Sequence, residues 1–168
     1  MDKQTLYRET VPCYAMVAIF LIVVLGMGVA LYYQLHYGPV GTSPASNGSL
    51  FVIMALSILI GINFSAIRIH LTDIDVRVSY GLFGKTLAWR DVASCEIDTS
   101  SVLRYGGWGI RLGMIQGKAV WVYNTFGGKR VAFLTKANKP KGMVVTTQNS
   151  EELIRISNQL IGMKKERN

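Results

Sequence analysis

Between Glu9 and Arg68 the chain has no Asp, Glu, Lys or Arg, although charged residues make up 17% of its 168 positions. A surface in water needs charge over such a length, so the gap excludes an ordinary globular exterior for this stretch and points to nonaqueous surroundings. The same gap leaves an ion or proton pathway without carriers. Cysteine is scarce as well. Cys13 and Cys95 fall in segments of different character, which argues against a structural disulfide, and no spacing of Cys or His suits a metal.

The charge that is present is unevenly placed. Lys3 and Arg8 are balanced by Asp2 and Glu9, whereas from Arg68 onward 16 basic residues face 8 acidic ones, so the whole net charge of +8 belongs to the later part. Such asymmetry fits orientation by the positive-inside rule, and it also fits an anionic partner or surface.

Two apolar runs occupy the uncharged stretch. Residues 11–33 span about 34 Å as a helix, enough for a hydrocarbon core of roughly 30 Å. Pro12 suits a first helical turn, and Tyr14 at one end with Tyr32, Tyr33 and Tyr37 at the other suits interfacial belts. A cleaved signal peptide is disfavoured by the length of the run, its bulky end and the second run behind it. That run, residues 50–67, is expected to be a second transmembrane helix, extensible through Ile69 and Leu71 if Arg68 snorkels to the interface. Residues 34–49, rich in Gly and Pro and uncharged, read as an external loop. Residues 1–10 become a cytoplasmic leader, and both termini face the cytoplasm. Ser57, Gly61 and Ser65 on the second helix, and Ala18, Gly26 and Ala30 on the first, are small residues expected at a close helix contact, with Asn63 able to hydrogen-bond across it.

Beyond the runs the periodicity falls to two. Ile74, Val76, Val78 and Tyr80 alternate with Asp75, Arg77 and Ser79, the pattern of a strand with one buried face. Further strands are expected at 85–89, 94–98, 109–115, 119–124, 130–135 and 143–147, with glycine turns between several of them. Seven short strands predict a small barrel or sandwich. A helix over 150–163 follows, capped by Asn149, with Leu153, Ile156 and Leu160 on its apolar face.

Several strings here resemble the bacterial PH-like domains that stand behind two-helix membrane anchors: Tyr80-Gly81-Leu82-Phe83-Gly84, Leu87-Ala88-Trp89-Arg90-Asp91-Val92, Arg104-Tyr105-Gly106-Gly107-Trp108-Gly109-Ile110-Arg111 and Glu151-Glu152-Leu153. The likeness covers roughly residues 68–163. It departs from the family pattern at Asn149 and Ser150, where Asp and Pro are common. The resemblance implies a bent seven-stranded barrel plugged by the C-terminal amphipathic helix, over residues 68–168, attached to a bacterial inner membrane by the hairpin of residues 11–67.

No residues assemble an obvious reaction centre. His70, Asp73 and Asp75 are the one His-carboxylate cluster, placed just past the membrane. Cys95 has no neighbouring base, and Ser100-Ser101 lacks a nucleophile elbow. Gly106-Gly107-Trp108-Gly109 is followed by a strand pattern rather than the helix a phosphate loop needs. The expected function is therefore a noncatalytic membrane-anchored module, without a cofactor and without nucleic acid, that binds anionic head groups or a protein partner. The alternative is an accessory subunit of a larger membrane complex, or a homo-oligomer. Candidate contacts are Arg104, Arg111, Lys118, Lys129, Arg130, Lys136, Lys139 and Lys141, most of them beside predicted turns. Tyr14, Tyr32, Tyr33, Tyr37 and Arg68 are the candidate membrane-interface residues.

Overall fold

Alternation of buried and exposed residues, expected from Ile69 onward, begins much earlier. In the computed structural model, which describes residues 4–39, 41–137 and 141–165, Thr5–Pro12 is already a strand, β1. It turns Glu9 and Val11 inward and Arg8 and Thr10 outward. The chain divides into two units: Cys13–Ser65, and the segment before it joined to everything after it.

The first unit is a pair of helices. α1, Tyr14–Tyr37, is long and apolar enough to cross a membrane, with a mean hydropathy of 2.6 over its most apolar window and none of that window buried. It stops at Gly38, whose φ of 97° leaves the helical region. α2, Asn47–Asn63, starts where the Ser46 hydroxyl accepts the Ser49 N–H at 3.1 Å. Its 17 residues reach about 25 Å. The helices pack through Gly61, where an added Cβ would come within 3.0 Å of the Phe20 Cβ. Ser57 is buried one turn away, and an apolar cleft of about 250 Å³ runs along the seam. Gly26 and Ala18, expected at that seam, are exposed. The ends of the unit meet where the Cys13 N–H donates to the Ser65 carbonyl at 2.8 Å.

Three sequence expectations change here. The leader of residues 1–10 is largely strand, and Pro12 ends β1 instead of opening a helix. The helix expected at 11–33 lies at 14–37, which shortens the loop. The run expected as a second helix at 50–67 is divided between α2 and a strand β2, Ala66–Thr72. Ile67, Ile69 and Leu71 are fully buried on one side of β2, so they extend no helix. The cause is their alternation with Arg68 and His70, a period of two that the apolar content hides.

The second unit holds two sheets. β1, β2, β3 (Asp75–Tyr80) and β4 (Phe83–Ala88) form a four-stranded antiparallel meander. β5 (Val92–Asp98), β6 (Gly109–Ile115), β7 (Lys118–Asn124), β8 (Lys129–Thr135) and β9 (Gly142–Thr147) form the other, in the order β5-β8-β9-β7-β6, with β7 and β9 parallel. The seven expected strands correspond to β3 through β9; β1 and β2 make nine among the described residues. Between β4 and β5 a 3₁₀ turn buries Trp89, whose indole N–H donates to the Thr72 carbonyl at 2.8 Å and whose ring lies 6.3 Å from Phe133. α3, Ser150–Lys165, begins directly after Asn149, whose carbonyl accepts the Leu153 N–H, and it buries Leu153 and Leu160. The opposite side of the five-stranded sheet is closed by the 3₁₀ turn Val102–Tyr105. Tyr105 packs among Val120, Val122, Ala132, Leu134 and Val144, over Gly113.

Candidate functional site

The basic residues that sequence reading singled out do not converge on one patch. Arg130 is occupied: its Nε donates to Asp98 Oδ2 at 3.0 Å, its guanidinium also reaches the Ser100 carbonyl, and its side chain is 14% exposed. Burial alone would raise the Asp98 carboxyl, but hydrogen bonds from Ser100 and Arg130 outweigh it and hold the group below its ordinary value. Lys118, Lys136 and Lys141 share one end of the five-stranded sheet, where the Lys118 ammonium donates to the Thr135 carbonyl at 2.8 Å. Lys129 sits at the other end, 4.0 Å from Glu151. Arg104 lies on the 3₁₀ turn and lines a shallow depression with Leu112, Met114 and Lys141, while Arg111 is exposed on edge strand β6. Lys139 lies outside the described residues.

Lys141 belongs to a more definite arrangement. Its ammonium lies 5.6 Å from the Trp121 ring centroid, and that of Lys85, from β4, lies 5.1 Å from it. Two cations against one half-buried indole bring the inner side of the meander onto β7. Glu9 ties the same two layers elsewhere. Its carboxylate accepts the Tyr7 hydroxyl at 2.7 Å, the Thr147 hydroxyl at 2.5 Å and the Gln148 N–H at 2.7 Å. Burial and the neighbouring Glu9 carboxylate push the Tyr7 phenol well above its ordinary value.

The residues expected at a membrane interface are divided. Tyr14 opens α1 and is 77% exposed, while Tyr32, Tyr33 and Tyr37 gather at its other end, with Tyr33 and Tyr37 ring centroids 4.9 Å apart. The nineteen helical steps from Tyr14 to Tyr33 make about 28 Å, close to a hydrocarbon core. Arg68 lies on β2, not on α2, and points outward.

That outward side holds a group of residues no sequence pattern had joined. Cross-strand register sets Arg8 opposite His70 and His70 opposite Arg77, and in the next row Thr10 opposite Arg68 and Arg68 opposite Ser79. Three exposed arginines from three strands thus surround one half-buried histidine. Burial, then the charges of Arg8, Arg77 and Arg68, lower the His70 pKa. Asp75 closes the far end of this side, accepting the Thr72 hydroxyl at 2.8 Å, and the charges closest to His70 are those of arginines rather than carboxylates. The missed signal was Arg8: read as leader charge, it had no reason to meet His70.

Cys95 is buried against α3, and burial pushes its thiol up to about 12, the nearby Ser157 hydroxyl opposing. Gly106 and Gly107 make the left-handed bend before β6, and the Gly107 carbonyl accepts the Asn124 amide at 3.3 Å. Trp108 stacks on Phe126, ring centroids 3.7 Å apart, both partly exposed. Among the described residues no three His, Cys, Asp or Glu side chains are grouped to hold a metal. No family model, curated protein or solved structure matches the chain.

Proposed function

We propose that the chain is a noncatalytic binding module held at the cytoplasmic face of a bacterial inner membrane, its β unit a PH-like domain and its α1–α2 hairpin a two-pass anchor. The observation that carries the anchor is a register: Pro12, the last residue before the helical unit, pairs with Ala66, the first strand residue after it. A chain that leaves and re-enters at neighbouring strand ends must cross back if α1 crosses. α2 is about 5 Å short of a typical core, a mismatch that local thinning accommodates.

The PH-like reading rests on the quoted strings, on a four-stranded meander followed by a second sheet, and on the terminal amphipathic helix that buries Leu153 and Leu160. The parallel pairing of β7 with β9 and the nine strands among the described residues differ from a simple seven-stranded barrel. A binding role without catalysis is favoured because Asp98 is engaged in an ion pair with Arg130 and burial pushes the Cys95 thiol up, away from reactive range.

Topology is tested with a membrane-impermeant thiol reagent on intact cells. Cysteine placed at Ala45, between the helices, is labelled from outside, and cysteine at Thr86, on β4, only after lysis. Equal labelling from outside defeats the orientation. Copurification from mild detergent then reads the function: a stoichiometric protein partner would replace the binding-module reading with that of an accessory subunit.

A further inference from the structure

We propose that the outward side of the β1–β4 meander, carrying Arg8, Arg68, His70 and Arg77, docks on the anionic head groups of the bilayer in which the helices sit. The inference rests on the membrane reading above and assigns it a surface that includes none of the turn lysines.

Three observations favour this side for contact with lipid. First, the strands run directly into the helical unit, through Cys13 after β1 and through Phe64 and Ser65 before β2. Arg68 is two residues from Ala66 and His70 four, about 7 and 13 Å along the strand at roughly 3.3 Å per residue. The head-group layer adds about 5–7 Å on each side of the hydrocarbon. Chain connectivity alone therefore keeps Arg68, and next the Arg8–His70–Arg77 row, within a few residues of the point where the chain enters the helices. Second, the meander's end at Pro12 and Ala66 also carries the turn after β3, since Tyr80 pairs with Ile67 and with Phe83. That turn shows water a 91% exposed Leu82 and a 57% exposed Phe83. Apolar side chains of this size beside the entry point suit the acyl boundary. Third, the charge complements one kind of surface. Arginine forks pair with phosphate oxygens in two-point fashion, and here three of them come from three adjacent strands held rigid by a buried inner side.

His70 adds a condition. The groups facing it are Arg8 on β1, Arg68 on its own strand and Arg77 on β3, with Asp75 at the far end and Asp73 in the following turn. At neutral pH it is uncharged. Head-group phosphates that offset the arginines let it take up a proton, so docking and protonation favour each other.

The test uses the full-length chain in vesicles, with a fluorophore on Thr86→Cys, which stands opposite Arg77 in the same row. One set of vesicles is phosphatidylcholine, the other equal parts phosphatidylcholine and phosphatidylglycerol, both with a head-group quencher. Quenching is expected in the anionic vesicles alone and is expected to weaken with salt. Replacing Arg8, Arg68 and Arg77 together by Gln should lower the docked-to-free ratio on the order of 100-fold. The same removal at Lys118, Lys129 and Lys136 should leave it unchanged. Acidification between about pH 7 and pH 5 should increase docking in the wild type and not in His70→Gln. A second probe on Val29→Cys of α1 reports insertion through an acyl-chain quencher. If that probe is quenched in both vesicles while the Thr86 probe ignores lipid charge, or follows the lysines instead, the docking side is wrong and the anchor stands. If the Val29 probe is not quenched, the membrane reading fails as well.

Discussion

Asp98 retains 3% of its side-chain exposure and is charged because Arg130 and Ser100 hold it so. Removing the cation strands a carboxylate in a low-dielectric site, whereas removing both partners does not. Arg130→Met should cost about 3 kcal/mol, and Asp98→Asn with Arg130→Met less than the sum of the single changes, read by chemical denaturation in micelles. Folding lowers this carboxyl's pKa, so its contribution is present above the ordinary value of about 4 and is lost as pH falls through the folded value. Wild-type stability should drop in that acid range, and the double variant should drop less. Cys95 makes an independent prediction at the same scale. With its thiol pushed up to about 12 and enclosed by α3, it should resist alkylation at pH 8 in the folded protein and react fully in denaturant.

β1 shows how far an element can be read from sequence. β3 was legible because apolar and polar residues alternate, and β8 and β9 because short apolar and β-branched runs stand between breaks in the pattern; glycines with positive φ mark turns at Gly81, Gly117 and Gly127-Gly128. β1 was not, because its inward positions are Tyr7, Glu9 and Val11, and a carboxylate in the middle breaks the apolar pattern. Glu9 is inward because Tyr7, Thr147 and Gln148 donate to it, and two of those partners lie almost a whole chain length away. No local pattern encodes such a contact. β2 was missed for the opposite reason, since Ile67, Ile69 and Leu71 continue an apolar run without a break. The cationic side was illegible as a consequence: with β1 unrecognised, Arg8 had no partner strand. Glu9→Ala should leave buried donors unanswered and cost about 2 kcal/mol. Amide exchange should locate the loss, with β1 and the start of α3 opening first and β5 keeping its protection.

The molecule as a whole is an insertion, since the helical unit interrupts a hairpin whose two strands, β1 and β2, are already paired up to Pro12 and Ala66. This has a consequence that the boundary at residue 68 would get wrong. A truncation beginning there lacks β1 and the start of β2, exposes the inner side of the meander, and leaves Thr147 and Gln148 without the Glu9 carboxylate. It should aggregate, because unpaired strand edges above an apolar core invite association. Replacing residues 13–65 by Asn-Gly keeps every strand and joins Pro12 to Ala66 through the two-residue turn that suits antiparallel neighbours. That variant should be soluble without detergent, monomeric by light scattering, and should unfold in one cooperative transition. Without its tether it should bind phosphatidylglycerol vesicles only weakly, because three arginines at roughly a factor of five each give marginal affinity unless the helices hold them at the surface. Tight binding by this untethered variant would mean the anchor is unnecessary for docking. Aggregation equal to that of the truncation would mean that β1 is not what completes the meander.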